Sequence, residues 1–508
     1  MKLLFCTFLI YFLINPSFGQ TSLKEIDLQR GPYTVGFQHY LASDSTRTYS
    51  RIYDYTNRTI PRPISISMWY PSDQKITVEK PMSILNYFEI LKEEEEWENL
   101  PNELILNWFT YTNTPENQQH LTEKSSAYPN IDFAEGQFPV IVYAPSFQAS
   151  SIENFELCEF LASHGYLVIS STSRGSENRW FSTNSLKELE TQARDIEFLM
   201  KEAAKLPVDS EKIALMSFSF GGLSSVITQM RNANVKAVVS LDGTERYQYS
   251  LLSNAPFFEL AKFDVPYLHM AQKDIPEKVL EEDKINPELN TSFVFYERIS
   301  KSKAYQLKFH KLSHSYFSTL GVLFENRDQR QDKSDAEIME SYKLASKYTL
   351  NFFNAYLKND HAALAFVEKS PSTNGIESEL LSHKSKNPEA HLFTFQDFNE
   401  LASAQNYENL DALVDSLSIQ NPSLKLPEGN LNTLGLQLVF NSTAPSQGIN
   451  VFLLATKMYP GSSNLFDSLG EAYLHTGNRD MAIQTFEKSL TLNSQNQNAI
   501  DRLDQLRR

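Results

Sequence analysis

The sequence predicts an α/β fold, a mostly parallel sheet with helices on both faces, followed by a small all-helical repeat region. Three observations carry this reading. Short apolar runs recur from about Gln20 to Asp360, amphipathic stretches of helical period separate them, and beyond residue 431 the pattern changes to paired helical units. Buried strands that alternate with helices belong to parallel sheets, because each crossover must pass over one face of the sheet and cover it. In such sheets the reactive groups gather at the carboxyl ends of the strands.

The elements follow in chain order. Residues 1–19 read as a secretory signal, with Lys2 as the positive region, Leu3 to Ile14 as the apolar core and Ser17-Phe-Gly19 as a small-residue cleavage site before Gln20. The protein is therefore expected to be exported, secreted or periplasmic, and its apolar run is too short for a membrane span. Ile64 to Tyr70 alternates with the period of a strand, and Phe138–Tyr143, Tyr166–Ser170, Ile213–Met216, Val235–Leu241 and Val265–Met270 are apolar runs of the buried kind. Helical patterns lie between them at Asn154–His164, Ser185–Leu206 and Gly222–Arg231. Residues 84–135 interrupt the alternation with an aromatic, irregular insertion, and two roles stay open for it, a lid over the site or a surface excursion. Residues 20–360 thus form the expected catalytic domain and 361–431 a helical linker, marked by turn signals at Ser370–Gly375, Asn387-Pro388 and Asn421-Pro422. Residues 432–508 hold two units, Asn432–Pro460 and Asn464–Gln497. In the second, Leu469, Gly470, Tyr473, Ala482 and Phe486 stand where a tetratricopeptide repeat of roughly 34 residues wants them. Two units are fewer than such arrays need to stand alone, so they are expected to pack on the linker helices or on the catalytic domain.

Composition narrows the function. A formal charge of −16 argues against nucleic acid or an anionic membrane as partner. Cys6 lies in the signal, which leaves Cys158, in an apolar helical stretch, as a buried structural thiol.

The chemistry centres on Ile213-Ala-Leu-Met-Ser-Phe-Ser219-Phe-Gly-Gly222, a strand that breaks into a small-residue turn with a serine at its apex. This is the pattern of a nucleophile elbow, with Ser217 in place of the usual first glycine. An elbow serine needs a general base, an acid to orient that base, and donors for an oxyanion. His269, His310 and His314 follow the elbow. His269 falls inside a strand, whereas His314 begins a loop at a strand's carboxyl end and is the preferred base. His310 and His314 are spaced as helical metal ligands are, but the segment reads as strand then loop, so neither metal nor cofactor is expected. Asp242 and Asp274 each follow a strand, and position alone does not choose between them.

Taken together, Phe138–Tyr143, Phe160–Val168, Ser217–Gly222, Leu241-Asp-Gly243 and Ser313-His-Ser-Tyr-Phe317 resemble the platelet-activating factor acetylhydrolase and dienelactone hydrolase group of α/β-hydrolases. Gly31–Gly36 and Trp69-Tyr-Pro71 add to the likeness, which spans about residues 28–360. The acetylhydrolase branch of that resemblance implies Asp242 as the acid, while many other α/β-hydrolases place it at the position of Asp274. It also implies an esterase acting through an acyl-enzyme. Where the family carries His-Gly after the strand before the oxyanion loop, this chain has Ala144-Pro-Ser-Phe147, so the backbone amides of Phe147 and Phe220 are the expected oxyanion donors. The aromatic surroundings point to a small-molecule or lipid-like ester, and the repeats to a protein partner or a stabilising appendage. The rival reading is an exported binding or scaffold protein on an impaired hydrolase body.

Overall fold

The computed structural model describes residues 22–508 apart from 53–55, 57, 78–79, 183–184, 333, 390–392, 422–423 and 442. Residues 1–19, the segment read as a secretory signal, lie outside the described residues. No helix among the described residues is long and apolar enough to cross a membrane. The chain divides into two compact units, with the boundary between Glu389 and Ala390.

The first unit is a mixed, mostly parallel ten-stranded sheet flanked by helices, the architecture the sequence reading expects of its catalytic domain. Its ten strands are β1 (Thr34–Tyr49), β2 (Ile60–Ser72), β3 (Ala127–Pro129), β4 (Phe138–Ala144), β5 (Leu167–Ser171), β6 (Val208–Phe218), β7 (Val235–Leu241), β8 (Tyr267–Ala271), β9 (Ala304–Phe309) and β10 (Leu381–Lys386). They form one sheet in the order β10-β9-β8-β7-β6-β4-β5-β2-β1-β3. The block from β5 to β9 is parallel; β2 joins β5, β1 joins β2 and β10 joins β9 antiparallel.

The principal helices of this unit are α1 (Ile84–Glu94), α2 (Phe155–Ser163), α3 (Ser185–Ala203), α4 (Gly221–Arg231), α5 (Thr319–Phe324), α6 (Asp335–Leu357) and α7 (His361–Glu368). Strand alternation sorts the core onto two faces. Ile141 and Tyr143 of β4 and Ala214 and Met216 of β6 pack with Leu157 and Phe160 of α2 and Tyr348 of α6. Val140 and Val142, with Leu215, pack with Leu189 and Ile196 of α3 and Val226 of α4. Both faces of the central strands are thus covered, which is why these strands are apolar runs rather than alternating ones.

The structure differs from the sequence reading at the edges. β1 was not signalled, because its outer half alternates around exposed polar residues. β10 lies inside the segment expected as linker; only Leu381 of it is buried, and an edge strand of Ser, His and Lys carries no apolar pattern. The linker 361–431 is consequently shared out: α7 and β10 belong to the first unit, and the remainder to the second, which moves the end of the first unit from 360 to Glu389. The insertion 84–135 is stitched to the sheet. Its β3 pairs in parallel with β1, and α1 begins at a capping box in which Ser83 and Asn86 satisfy each other's backbone amides.

The second unit contains α8 (Phe395–Ala404), α9 (Leu410–Gln420), α10 (Glu428–Asn441), α11 (Pro445–Met458), α12 (Ser463–His475), α13 (Arg479–Leu492) and α14 (Gln497–Arg507). Phe398, Leu410 and Leu417 of the first two share one core with the four helices α10–α13, so the paired units do pack on the preceding helices. Each pair is closed in the same way: Gly435 of α10 sits against the ring of Phe452 in α11, and Gly470 of α12 against Phe486 in α13.

Candidate active site

β6 ends at Phe218 and α4 begins at Gly221, leaving Ser219 at the apex between them. Ser219 has φ +52°, in the left-handed region that a non-glycine residue enters at a cost of about 1–3 kcal/mol. Backbone bonds hold it there: its N–H donates to Leu241 O (3.2 Å), and its carbonyl accepts from Thr244 (2.8 Å) and Gly222 (3.0 Å). Gly221 has to be glycine, because a Cβ there would collide with the Ala144 carbonyl. Ser217 is fully buried, and its hydroxyl donates to Val239 O at 3.3 Å. A small side chain with a local acceptor suffices at that position, and Ser217 has no access to solvent.

The strand register brings the acid alongside. Phe218 pairs with Leu241, so the residues that follow each, Ser219 and Asp242, leave the sheet at the same height. His314 arrives from the turn after β9, its Nε2 3.0 Å from Ser219 Oγ and its Nδ1 2.6 Å from Asp242 Oδ2. An ionised carboxylate only accepts, which assigns the proton to Nδ1 and leaves Nε2 free to accept from the serine. The His314 side chain is 39% exposed and Asp242 is fully buried. Burial pushes the Asp242 carboxyl up, but the hydrogen bond and charge of His314, the Arg246 guanidinium and the Gln272 amide outweigh it and hold the group below its ordinary value.

Several supports were not visible as motifs. Tyr247 OH lies 2.8 Å from both Asp242 oxygens, and Gln272 receives the His314 N–H on its side-chain oxygen (3.1 Å) while giving its own N–H to Asp242 (3.1 Å). Asp332 grips the His314 turn from two sides, accepting from Ser313 Oγ (2.8 Å) and Tyr316 OH (2.6 Å), with Lys273 neutralising it at 2.7 Å. The signal for Tyr247 was the dense polar run Asp242-Gly-Thr-Glu-Arg-Tyr247 directly after a buried strand; Gln272 and Asp332, from other segments, gave none.

The remaining candidates lie elsewhere. Asp274, the alternative acid, is 58% exposed and ion-paired with Lys308, and it makes no bond to His314. The reason is geometric: β8 ends at Ala271, and by Asp274 the chain has moved out to the surface, where it meets Lys308 of β9. His310 closes β9 with its amide on Leu380 O and is half-buried. His269 is buried in β8 between Ser240 Oγ (3.2 Å) and Glu245 (3.4 Å). His310 and His314 occupy a strand end and a short turn, not one helix face, and no group of three metal-ligating side chains is found among the described residues. Cys158 is buried in α2, and burial raises its thiol well above the ordinary value.

On the oxyanion side, the loop after β4 folds back over the elbow. Among the described residues, neither the Phe147 nor the Phe220 amide donates to a protein acceptor. Their rings stand edge-to-face at 5.9 Å, with Phe181 against both. Glu153, buried, anchors this loop: it accepts from Ser146 N–H (2.9 Å), Ser146 Oγ (2.5 Å) and Tyr143 OH (3.0 Å). Burial pushes its carboxyl up, against the pull of those donors and of His314. Beside the loop lies a cavity of about 520 Å³, walled by Ser146–Ser150 and Glu153, by Arg179 and Trp180, and by Trp97 and Trp108–Tyr111 of the insertion. The insertion therefore forms one wall of a cavity that adjoins Phe147.

No family model matches the chain, and no curated protein does. Among solved structures it is similar to a ferulic acid esterase from Streptomyces cinnamoneus, at 17% sequence identity and a TM-score of 0.46, over 70% of this chain and 97% of that one.

Proposed function

We propose that the protein is an exported serine hydrolase that cleaves carboxylic esters through an acyl-enzyme. The observation that carries this is the unbroken relay from Ser219 Oγ through His314 to a buried, ionised Asp242, at 3.0 and 2.6 Å. Ser219 attacks the ester carbonyl and gives its proton to His314 Nε2; Asp242 holds the imidazole in its tautomer and stabilises the imidazolium. The tetrahedral anion takes hydrogen bonds from the Phe147 and Phe220 amides, where each such donor typically contributes about 10²–10³ in rate. Collapse expels the alcohol, which receives the proton from His314. Water then enters, loses a proton to His314 and attacks the acyl carbon, releasing the acid and restoring Ser219. The balance is ester plus water to acid plus alcohol, with all groups supplied by the chain.

The resemblance to the acetylhydrolase and dienelactone hydrolase group supports the same reaction, and the signal-like residues 1–19 support export. The helical unit, with its matched Gly435–Phe452 and Gly470–Phe486 closures, is proposed to be tetratricopeptide-like and to meet a protein or peptide partner.

The test is a fluorophosphonate probe followed by peptide mass spectrometry. Label is expected on Ser219, and Ser219→Ala is expected to lose both label and p-nitrophenyl ester turnover at unchanged Tm. Absence of label on folded wild-type protein would overturn the hydrolase reading and favour a binding role.

A further inference from the structure

We infer that the cavity beside Phe147 binds carbohydrate, so that the ester cleaved is one carried on a sugar hydroxyl. This rests on the hydrolase reading and extends it to the alcohol half of the substrate. The chain has four tryptophans; Trp69 is buried in the core, and the other three, Trp97, Trp108 and Trp180, line this one cavity. Trp108 is 47% exposed, Trp180 49% and Phe147 56%. Large aromatic faces are costly to leave in water, and their collection around a single concavity marks a binding surface.

The polar lining decides what kind of ligand fits. Arg179 and Glu95 form an ion pair in the wall, Arg179 also lies over the Trp180 ring at 4.2 Å, and its Nε has no hydrogen-bond partner among the described residues although the side chain is 6% exposed. Both terminal nitrogens of Arg179 are held by Glu95, which leaves the Nε donor beside exposed indoles; this matches a pyranose, which offers a C–H face for stacking and hydroxyls that can accept from Nε and donate to Glu95. The charged pair is what disfavours a fatty chain: the aromatic rings, Leu91 and Leu320 could hold an alkyl group, but it would strip water from Glu95 and Arg179 without replacing its hydrogen bonds. Trp97 and Trp108, edge-to-face at 4.7 Å, are shared with a second cavity of about 720 Å³ that adds Arg51, Glu98 and Asn99. The aromatic pair thus links two polar hollows, the layout expected for a ligand built of successive sugar units.

The experiment uses the full-length Ser219→Ala protein, and in parallel wild type blocked with fluorophosphonate, in case the variant is destabilised. Each is screened on a glycan array and then titrated with xylohexaose, cellohexaose and chitohexaose, following tryptophan fluorescence, with decanoate and cinnamate as competing probes. The expected result is saturable binding of an oligosaccharide that weakens about tenfold or more in Trp108→Ala and Trp180→Ala, a loss of about one decade in Kd. The ratio of kcat/KM for an acetylated oligosaccharide over p-nitrophenyl acetate should fall by a similar factor in the same variants. No glycan bound, tighter binding of decanoate or cinnamate than of any oligosaccharide, or an unchanged ratio would each overturn the inference. The two failures are distinguishable: a labelled Ser219 without sugar binding removes only this inference, whereas sugar binding without label removes the hydrolase and with it the sugar ester, leaving a sugar-binding cavity.

Discussion

Four donors converge on the Asp242 carboxylate, from His314, Tyr247, the Gln272 amide and Arg246, and all but His314 are outside the reacting pair. They keep the acid ionised in a buried place where, alone, it would take up a proton. Because the folded value lies below the ordinary one, the group contributes stability that is present above the unfolded pKa and is lost as pH falls through the folded pKa. Asp242→Asn is expected to lower kcat about 10⁴-fold, since an amide can leave His314 in the wrong tautomer. Asp274→Asn removes an exposed ion pair contributing under about 1 kcal/mol and is expected to leave kcat and Tm close to wild type. Steady-state kinetics on the two variants separates the two acids. Sequence could not do so, because both aspartates follow strands. What distinguishes them is the Phe218–Leu241 register and the donors around Asp242, which come from three different segments of the chain.

At the level of elements, legibility followed apolar content. β4 and β7 are buried along nearly their whole length and β6 from Ile213 onward, and these stood out as apolar runs; the turn after β6 stood out because close backbone approach demands small residues. β1 and β10, each with much of its length outside the core, did not. The role of Glu153 was equally hidden: a buried acid that folds back on its own loop has no spacing signature. The helix pairs of the second unit were legible through their glycines. At Gly470 a Cβ would sit 2.6 Å from the Phe486 ring, so Gly470→Val is expected to destabilise that unit by about 2 kcal/mol through overpacking. Gly461→Ala, in open space, is expected to leave it unchanged; calorimetry on the full chain reads both as the Tm of the helical transition.

Over the whole first unit, stability carries a pH dependence of its own. Arg30 pairs with buried Glu156 at 2.6 Å and lies 3.6 Å from buried Glu159, so one guanidinium faces two carboxyls. Burial, only partly offset by Arg30 and reinforced by Glu159, pushes Glu156 up to about 7 from an ordinary 4.5. A raised folded value means this group's contribution is complete below about 4.5 and disappears as pH rises through about 7. Glu156→Gln is therefore expected to flatten the decline in Tm between about pH 5 and 8, with an effect of up to about 3 kcal/mol, and thermal melts across that range check it.

The last strand of the sheet has a consequence for how the molecule comes to be made. During synthesis the outer ladder of β9, Ala304–Phe309, stays open until Leu381–Lys386 has emerged and paired with it. Until then its free N–H and C=O groups are a template for a second chain. A fragment ending at Asp360 would never close that ladder. It would keep Ser219, Asp242 and His314 and still be prone to edge-to-edge aggregation, so the polar strand that looked like a tether works as a gatekeeper for solubility.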